Sequence, residues 1–248
     1  GASVKFVHFN ATLAEVAANI NKQTKLIIIN NPNNPAGKIY SFSELSDLIN
    51  EAEKNDVFVL MDEAYSDFTD GDDFITTCTL VQAHKNLIVV NSLSKNFGMS
   101  GWRIGYAIAS ETIITKMNSL NQHLVTCAPT ILQSYVAENF NRILMACDKE
   151  LLKLLKKRKK VKKLLEKYEL NALDGAATFY FFVNTNLSTD NVDRLVNELL
   201  LEDGISVVPG SAYGVSTGSF IRISCGTETL SRIEYALAKI KIRLLKNG

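Results

Sequence analysis

Apolar residues recur along this chain in two rhythms, one of period two and one near 3.6. Val4–Phe9 alternates and predicts a short strand. Leu13, Val16, Ala17 and Ile20 follow at helical spacing. Lys25–Asn30 is a continuous apolar run, which predicts a strand buried on both faces. It ends in Asn31-Pro32-Asn33-Asn34-Pro35-Ala36-Gly37, where two prolines and a glycine predict a loop of fixed path. Ser43 can cap a helix that buries Leu45, Leu48, Ile49 and Ala52. Val57–Met61 predicts a second buried strand, ending in Asp62-Glu63-Ala64-Tyr65; Leu87–Val90 predicts a third, and Ile104–Ala109 another. Strands that each end in polar residues and alternate with helical patterns predict an α/β sheet, with its chemistry at the carboxyl ends of the strands.

Beyond the sheet, Glu111–Asn121 and Pro129–Cys147 predict helices. Asp148–Leu170 is helical, amphipathic and strongly basic. Such a stretch reads either as a helix for RNA or membrane, or as a connecting helix with a solvated basic face. No aromatics interleave the charges, which favours the connecting helix. After Asp174-Gly175 the pattern changes: strands at Thr178–Val183, Ile205–Val208 and Ser219–Ser224 mix with helices at Asn191–Leu201 and Thr227–Leu245. That mixture predicts a smaller α+β domain. A boundary near Cys147 divides the chain into domains of residues 1–147 and 148–248.

Composition narrows the classes. The net charge of +1 over 248 residues gives no global attraction to nucleic acid or anionic membrane. No apolar run reaches the length of a membrane span, and the first residues do not read as a signal peptide. Cys78, Cys127, Cys147 and Cys225 form no CxxC pair and no cluster with His8, His84 or His123. They read as reduced thiols, mostly packing, in a cytoplasmic protein, and no metal site is expected.

Candidate chemistry centres on Lys95. It follows the apolar run Leu87–Val90, with Ser92 and Ser94 just before it, Gly98, Gly101 and Gly105 beyond, and Arg103 eight residues on. A lysine amine is a nucleophile toward aldehydes once its charge is suppressed. Hydroxyls, glycine-freed backbone N–H groups and an arginine fork suit a phosphate. An aldehyde that carries a phosphate suggests pyridoxal 5′-phosphate (PLP). Asp62 on its own would read as a cap or turn aspartate, yet side-by-side strand ends would bring Asn34, Asp62, Tyr65 and Lys95 to one crevice.

Six motifs carry a resemblance across nearly the whole chain. They are Asn33-Asn34-Pro35-Ala36-Gly37, Asp62-Glu63-Ala64-Tyr65, Ser92-Leu93-Ser94-Lys95, Gly101-Trp102-Arg103-Ile104-Gly105, Val208-Pro209-Gly210-Ser211-Ala212-Tyr213-Gly214 and Phe220-Ile221-Arg222-Ile223-Ser224. In this order and spacing the chain resembles the fold-type I PLP-dependent aminotransferases of class I/II, the aspartate and aromatic aminotransferase superfamily. The resemblance implies the aspartate aminotransferase-like fold, with residues 1–147 as the C-terminal part of the large PLP-binding domain. It implies an aminotransferase that moves an amino group between an L-amino acid and a 2-oxo acid by a ping-pong Schiff-base mechanism, as a homodimer.

Roles follow from the same resemblance. Lys95 would hold PLP and shuttle the substrate proton. Asp62 would pair with the pyridine nitrogen, Tyr65 and Asn34 with the ring hydroxyl oxygen, and Ser92, Ser94 and Arg103 with the phosphate. Arg222 would take the substrate α-carboxylate, with Asn34 beside it. Tyr180 and Tyr213 would line the site or simply pack, and Trp102 is expected in the core. Family members are longer, so the chain is expected to be a fragment that lacks the N-terminal part, with sheet edge and core exposed. Two other readings share the scaffold: a different PLP reaction (lyase, synthase or decarboxylase) and a non-catalytic PLP-binding remnant. Tyr65 favours the aminotransferase, because the related C–S lyases tend to carry histidine there. Arg222 reads only the α-carboxylate, so dicarboxylate, aromatic, alanine and histidinol-phosphate substrates all stay open.

Overall fold

The computed structural model describes residues 1–71 and 74–247. In chain order the elements are α1 (Leu13–Ala18), β1 (Leu26–Asn30), α2 (Phe42–Lys54), β2 (Phe58–Asp62), β3 (Leu87–Ser92), α3 (Leu93–Asn96), β4 (Gly105–Ala109), α4 (Glu111–Leu124) and α5 (Thr130–Lys167). They continue with β5 (Asn171–Ala172), β6 (Tyr180–Asn184), α6 (Thr189–Asp203), β7 (Val208–Pro209), β8 (Phe220–Ser224) and α7 (Leu230–Asn247). Two compact units form: Thr12–Asn33 with Ile39–Leu152, and Gly1–Ala11 with Asn34–Lys38 and everything from Lys153 onward.

The first unit holds a sheet of order β1-β2-β3-β4. β1, β2 and β3 run parallel, and β4 returns antiparallel to β3. Ile29, Val59, Met61, Leu87 and Val89 pack on Leu13 and Val16 of α1 and on Leu45, Leu48, Ile49 and Ala52 of α2. α2 starts at Ser41 rather than Ser43. Glu44 stands three residues after Ser41, and the two close a capping box: the Ser41 hydroxyl accepts from the Glu44 N–H, and the Glu44 carboxylate accepts from the Ser41 N–H. β1 is not buried on both faces as its apolar run predicts. Leu26, Ile28 and the neighbouring Phe58 are 45%, 64% and 44% exposed, because α1 and α2 cover only the opposite face.

The second unit is α+β. Its sheet order is β5-β6-β8-β7, all antiparallel, with β8 between β6 and β7. Its core joins Val161 and Leu165 of α5, Phe181 and Val183, Val192, Leu195 and Leu199 of α6, Ile221 and Ile223, and Ile233, Leu237 and Ile240 of α7.

Other expectations are corrected. Val4–Phe9 is no strand; its residues find no ladder partner among the described ones and stay irregular and largely exposed. The helices expected at Pro129–Cys147 and Asp148–Leu170 are a single helix, α5. No glycine or proline interrupts that stretch, so nothing breaks it. The strand expected at Ile205–Val208 is displaced toward the C-terminus, to β7 at Val208–Pro209. Trp102 lies outside both cores, half-buried and edge-on to Tyr135 with ring centroids 5.9 Å apart. Cys127 is exposed rather than packed.

Candidate active site

In the first unit the candidate residues gather at the carboxyl ends of the parallel strands. β1, β2 and β3 end at Asn30, Asp62 and Ser92, with Asn30 paired to Asp62 and Asp62 to Val90. Hydrogen bonds lock these ends together. The Asp62 carbonyl accepts from the Asn31 N–H (2.9 Å) and from Asn30 Nδ2 (3.2 Å), while Glu63 N–H donates to the Val90 carbonyl (2.9 Å). Asp62 Oδ1 accepts from the Ala64 N–H at 3.1 Å. Tyr65 follows in the same turn, buried and edge-on to Phe68.

Glu63 explains why this turn holds its shape. The carboxylate is 2% exposed and accepts from Thr76 Oγ1 (2.6 Å), Thr77 N–H (2.8 Å) and Thr77 Oγ1 (2.7 Å). A buried carboxylate with three donors is satisfied, and it ties the stretch after β2 to the chain near 77.

Lys95 sits on α3, the short helix that caps β3. Ser92 is its N-cap, and the Ser92 hydroxyl accepts from the Ser94 N–H at 3.1 Å. Its own proton can still be donated to a ligand oxygen. Ser92 pairs with Gly105 at the start of β4, and Leu93 N–H donates to the Ile104 carbonyl. Arg103 therefore lies just past the end of the β3–β4 ladder, beside the serines. It is exposed, in a left-handed conformation (φ 56°), and one N–H of its fork donates to the Ser100 carbonyl at 2.8 Å.

Ser66 was not singled out from sequence. Its hydroxyl accepts from Asn91 Nδ2 (3.3 Å) and Asn96 Nδ2 (3.1 Å) and donates to Asp67 (3.2 Å). Two asparagines that flank Lys95 are thereby tied to the turn that carries Asp62 and Tyr65. The asparagines beside the lysine were the available signal.

In the second unit the structure places Arg222 and Asn34 together. Arg222 lies on β8, opposite Phe182 of β6 and Val208 of β7. Its Nη1 donates to Asn34 Oδ1 at 3.4 Å. Its guanidinium lies 4.2 Å from the Tyr180 ring centroid and 5.4 Å from that of Tyr213. Two aromatic faces restrict the fork to few orientations. Burial pushes the Tyr213 phenol up, and the nearby Arg222 charge opposes that rise.

The model of the family described as aminotransferase class I and II matches residues 1–240. The chain belongs to that family. Curated relatives of this chain include an aspartate aminotransferase from Thermotoga maritima, 30% identical over 94% of the chain and 60% of that protein. Another is aromatic-amino-acid aminotransferase 2 of Thermococcus litoralis, 29% identical over 94% of the chain and 62% of that protein. The crystal structure of an aromatic aminotransferase from Pyrococcus horikoshii OT3 superposes with a TM-score of 0.85 at 27% identity, covering 96% of the chain and 64% of that structure. The fold is that of the aspartate aminotransferases. The chain spans about 60% of the length of the curated relatives it matches.

Proposed function

We propose that the protein to which this chain belongs is a PLP-dependent aminotransferase that moves an amino group between an L-amino acid and a 2-oxo acid in ping-pong fashion. The observation that carries the reading is the set of groups at the ends of β2 and β3: the Asp62 carboxylate, the Lys95 amine, and the Ser92, Ser94 and Arg103 donors.

That set fits PLP group by group. The hydroxyls of Ser92 and Ser94 and the guanidinium of Arg103 offer hydrogen-bond donors to a phosphate, and no acidic side chain intervenes between Ser92 and Arg103 in sequence. Asp62 offers an acceptor to a protonated ring nitrogen. When bound, the cofactor supplies an aldehyde that captures the amino group and a ring that accepts the electrons of the Cα–H bond.

The chain's own residues do the rest. Lys95 would hold the cofactor through its amine and would carry the proton to and from the substrate Cα. Asp62 would keep the ring nitrogen protonated. Tyr65 and Asn34 would hydrogen-bond the ring hydroxyl oxygen. Arg222, held between Tyr180 and Tyr213, takes the α-carboxylate as a fork. Substrates in this reading are an amino acid and a 2-oxo acid, and the setting is a cytoplasmic homodimer of amino acid metabolism. No helix among the described residues is long and apolar enough to cross a membrane, and no group of described side chains could hold a metal ion.

The experiment is direct. PLP is added to the purified chain, the mixture is reduced with borohydride, and the modified lysine is located by mass spectrometry. A pyridoxyl group on Lys95, lost in Lys95→Ala, is the expected result. An adduct that persists in Lys95→Ala would assign the anchor to another lysine. Amino-acid screening with product analysis then separates amino transfer from lyase or decarboxylase chemistry.

A further inference from the structure

Arg158 departs from its sequence context. It lies within the basic run of α5, where Lys156, Lys159 and Lys160 are exposed, yet it is 2% exposed. Its guanidinium stacks on Phe181, 5.0 Å from the ring centroid, and its Nη2 donates to the Gly175 carbonyl. A buried ion is a poor stability device, because desolvation offsets most of what its partners return. What a buried guanidinium supplies is direction.

The direction matters because of what lies on Gly175. There the segment Asn34–Lys38 presses backbone against backbone. A Cβ on Gly175 would meet the Ala36 carbonyl oxygen at 2.2 Å and Gly37 Cα at 2.8 Å. A Cβ on Gly37, whose φ is +70°, would meet the Ala177 carbonyl oxygen at 2.7 Å. The Ala177 N–H donates to the Gly37 carbonyl at 3.1 Å. Both glycines are needed for this approach. Three residues before Gly37 stands Asn34, which accepts from Arg222. Three residues after Ala177 stands Tyr180, on which Arg222 stacks. Between them Thr178 holds a left-handed φ of 66°, and its hydroxyl accepts from the Tyr180 N–H.

We propose that Arg158 is a positioning residue for the carboxylate fork: by fixing the Gly175 carbonyl it seats the Asn34–Gly37 loop and sets Asn34 against Arg222. The inference rests on the reading of Arg222 as the α-carboxylate site. Arg158 touches neither substrate nor cofactor, and its effect passes through the loop. A displacement of that loop by a fraction of an ångström changes how the fork is presented to an incoming carboxylate.

The test uses the full chain supplied with PLP and maleate as a carboxylate probe, with dissociation constants from calorimetry. Arg158→Met keeps the length and the contact with Phe181 but removes the donors; Arg158→Lys restores one. Arg158→Met is expected to weaken maleate about tenfold, the scale of a small misplacement remote from the chemistry. Arg158→Lys is expected to recover most of that loss, and the borohydride adduct on Lys95 is expected unchanged in both. In an Asn34→Ala background, either Arg158 substitution should add nothing further, whereas a merely structural arginine would give additive losses.

The outcomes separate the two claims. If Arg222→Ala weakens maleate while Arg158→Met stays within twofold, the inference is overturned and the Arg222 reading stands. If Arg222→Ala leaves maleate binding unchanged, the carboxylate reading fails and the inference with it. Should Arg158→Met fail to fold by circular dichroism, Arg158→Gln with and without Asn34→Ala carries the test, and additive losses overturn it.

Discussion

At the residue scale, the chemistry is written in which atoms are already committed and which stay available. Ser92 uses its lone pair to cap α3 and keeps its proton for a ligand. Arg103 commits one N–H to Ser100. Glu63 is saturated by three donors, so it serves structure, while the carboxylate of its neighbour Asp62 accepts from the Ala64 N–H. Asp62→Ala is accordingly expected to lower kcat by about 10²–10³-fold, the scale for removing one electrostatic partner of a reacting group. Its unfolding midpoint should move little. Steady-state kinetics beside thermal melts check this, and an unchanged turnover number would remove Asp62 from the role of ring-nitrogen partner.

Most of these residues were legible in the sequence. Asp62, Tyr65, Ser92, Ser94, Lys95 and Arg103 stand in motifs beside apolar runs, and polar residues at a strand end announce themselves locally. Ser66 and Arg158 were not legible. Ser66 matters through Asn91 and Asn96, distant in sequence, and Arg158 carries the same charge as the solvated lysines around it. Nothing local says that one member of a basic run turns inward.

At the element scale, helix existence came from periodicity, and helix ends from caps. Leu45, Leu48, Ile49 and Ala52 bury one face of α2, as their spacing predicts. The helix starts two residues before the expected Ser43, since Ser41 and Ser43 are equally good hydroxyls and only the reach of Glu44 distinguishes them. Ser41→Ala is expected to destabilise the chain by about 1 kcal/mol through loss of the capping box, and Ser43→Ala by much less. Urea denaturation of both variants checks the order; equal losses would move the cap.

α5 shows the opposite error. Its apolar and basic halves read as two helices because composition changes near Cys147, but composition does not end a helix; a breaker or a cap does. The burial of β1 departs from its apolar run for a related reason. A continuous apolar run fits two covered faces, yet whether the second face is covered depends on elements elsewhere.

At the scale of the whole molecule, charge is arranged as local clusters rather than as a field. On α7, Arg243 donates to Asp203 (2.8 Å) and Glu202 (2.7 Å) and lies 3.4 Å from Glu198, while Lys239 pairs with Asp203 at 3.2 Å. The hydrogen bond from Arg243, with Lys239, holds the Asp203 carboxyl below the usual range. Lys162 does the same for Asp174, and Lys167 for Glu234. A carboxyl depressed in the folded state contributes stability above its unfolded pKa, near 4, and loses it as pH falls through the folded value. Stability should therefore drop as pH falls below about 4, and Arg243→Met should flatten that drop. Urea midpoints between pH 3 and pH 7 check it; an unchanged slope in Arg243→Met would exclude the cluster as a source of acid sensitivity.

Several basic residues of α5 are engaged in the same local way. Lys157 donates to the carbonyls of Gly226 and Glu228, Lys162 pairs with Asp174, and Lys167 pairs with Glu234. These bonds support the connecting-helix reading of the basic stretch.

By itself the sequence determined the family, the alternation of strands and helices, and the residue types at the strand ends. Those are properties of neighbours along the chain: a period of 2 or 3.6, a breaker, a motif. The tertiary structure decided the rest. It made residues 34–38 part of the unit that carries Arg222, brought Asn34 to Arg222 across 188 positions, and turned Arg158 inward onto Gly175. Each depends on a partner far away in sequence, and burial is a property of the partner as much as of the residue.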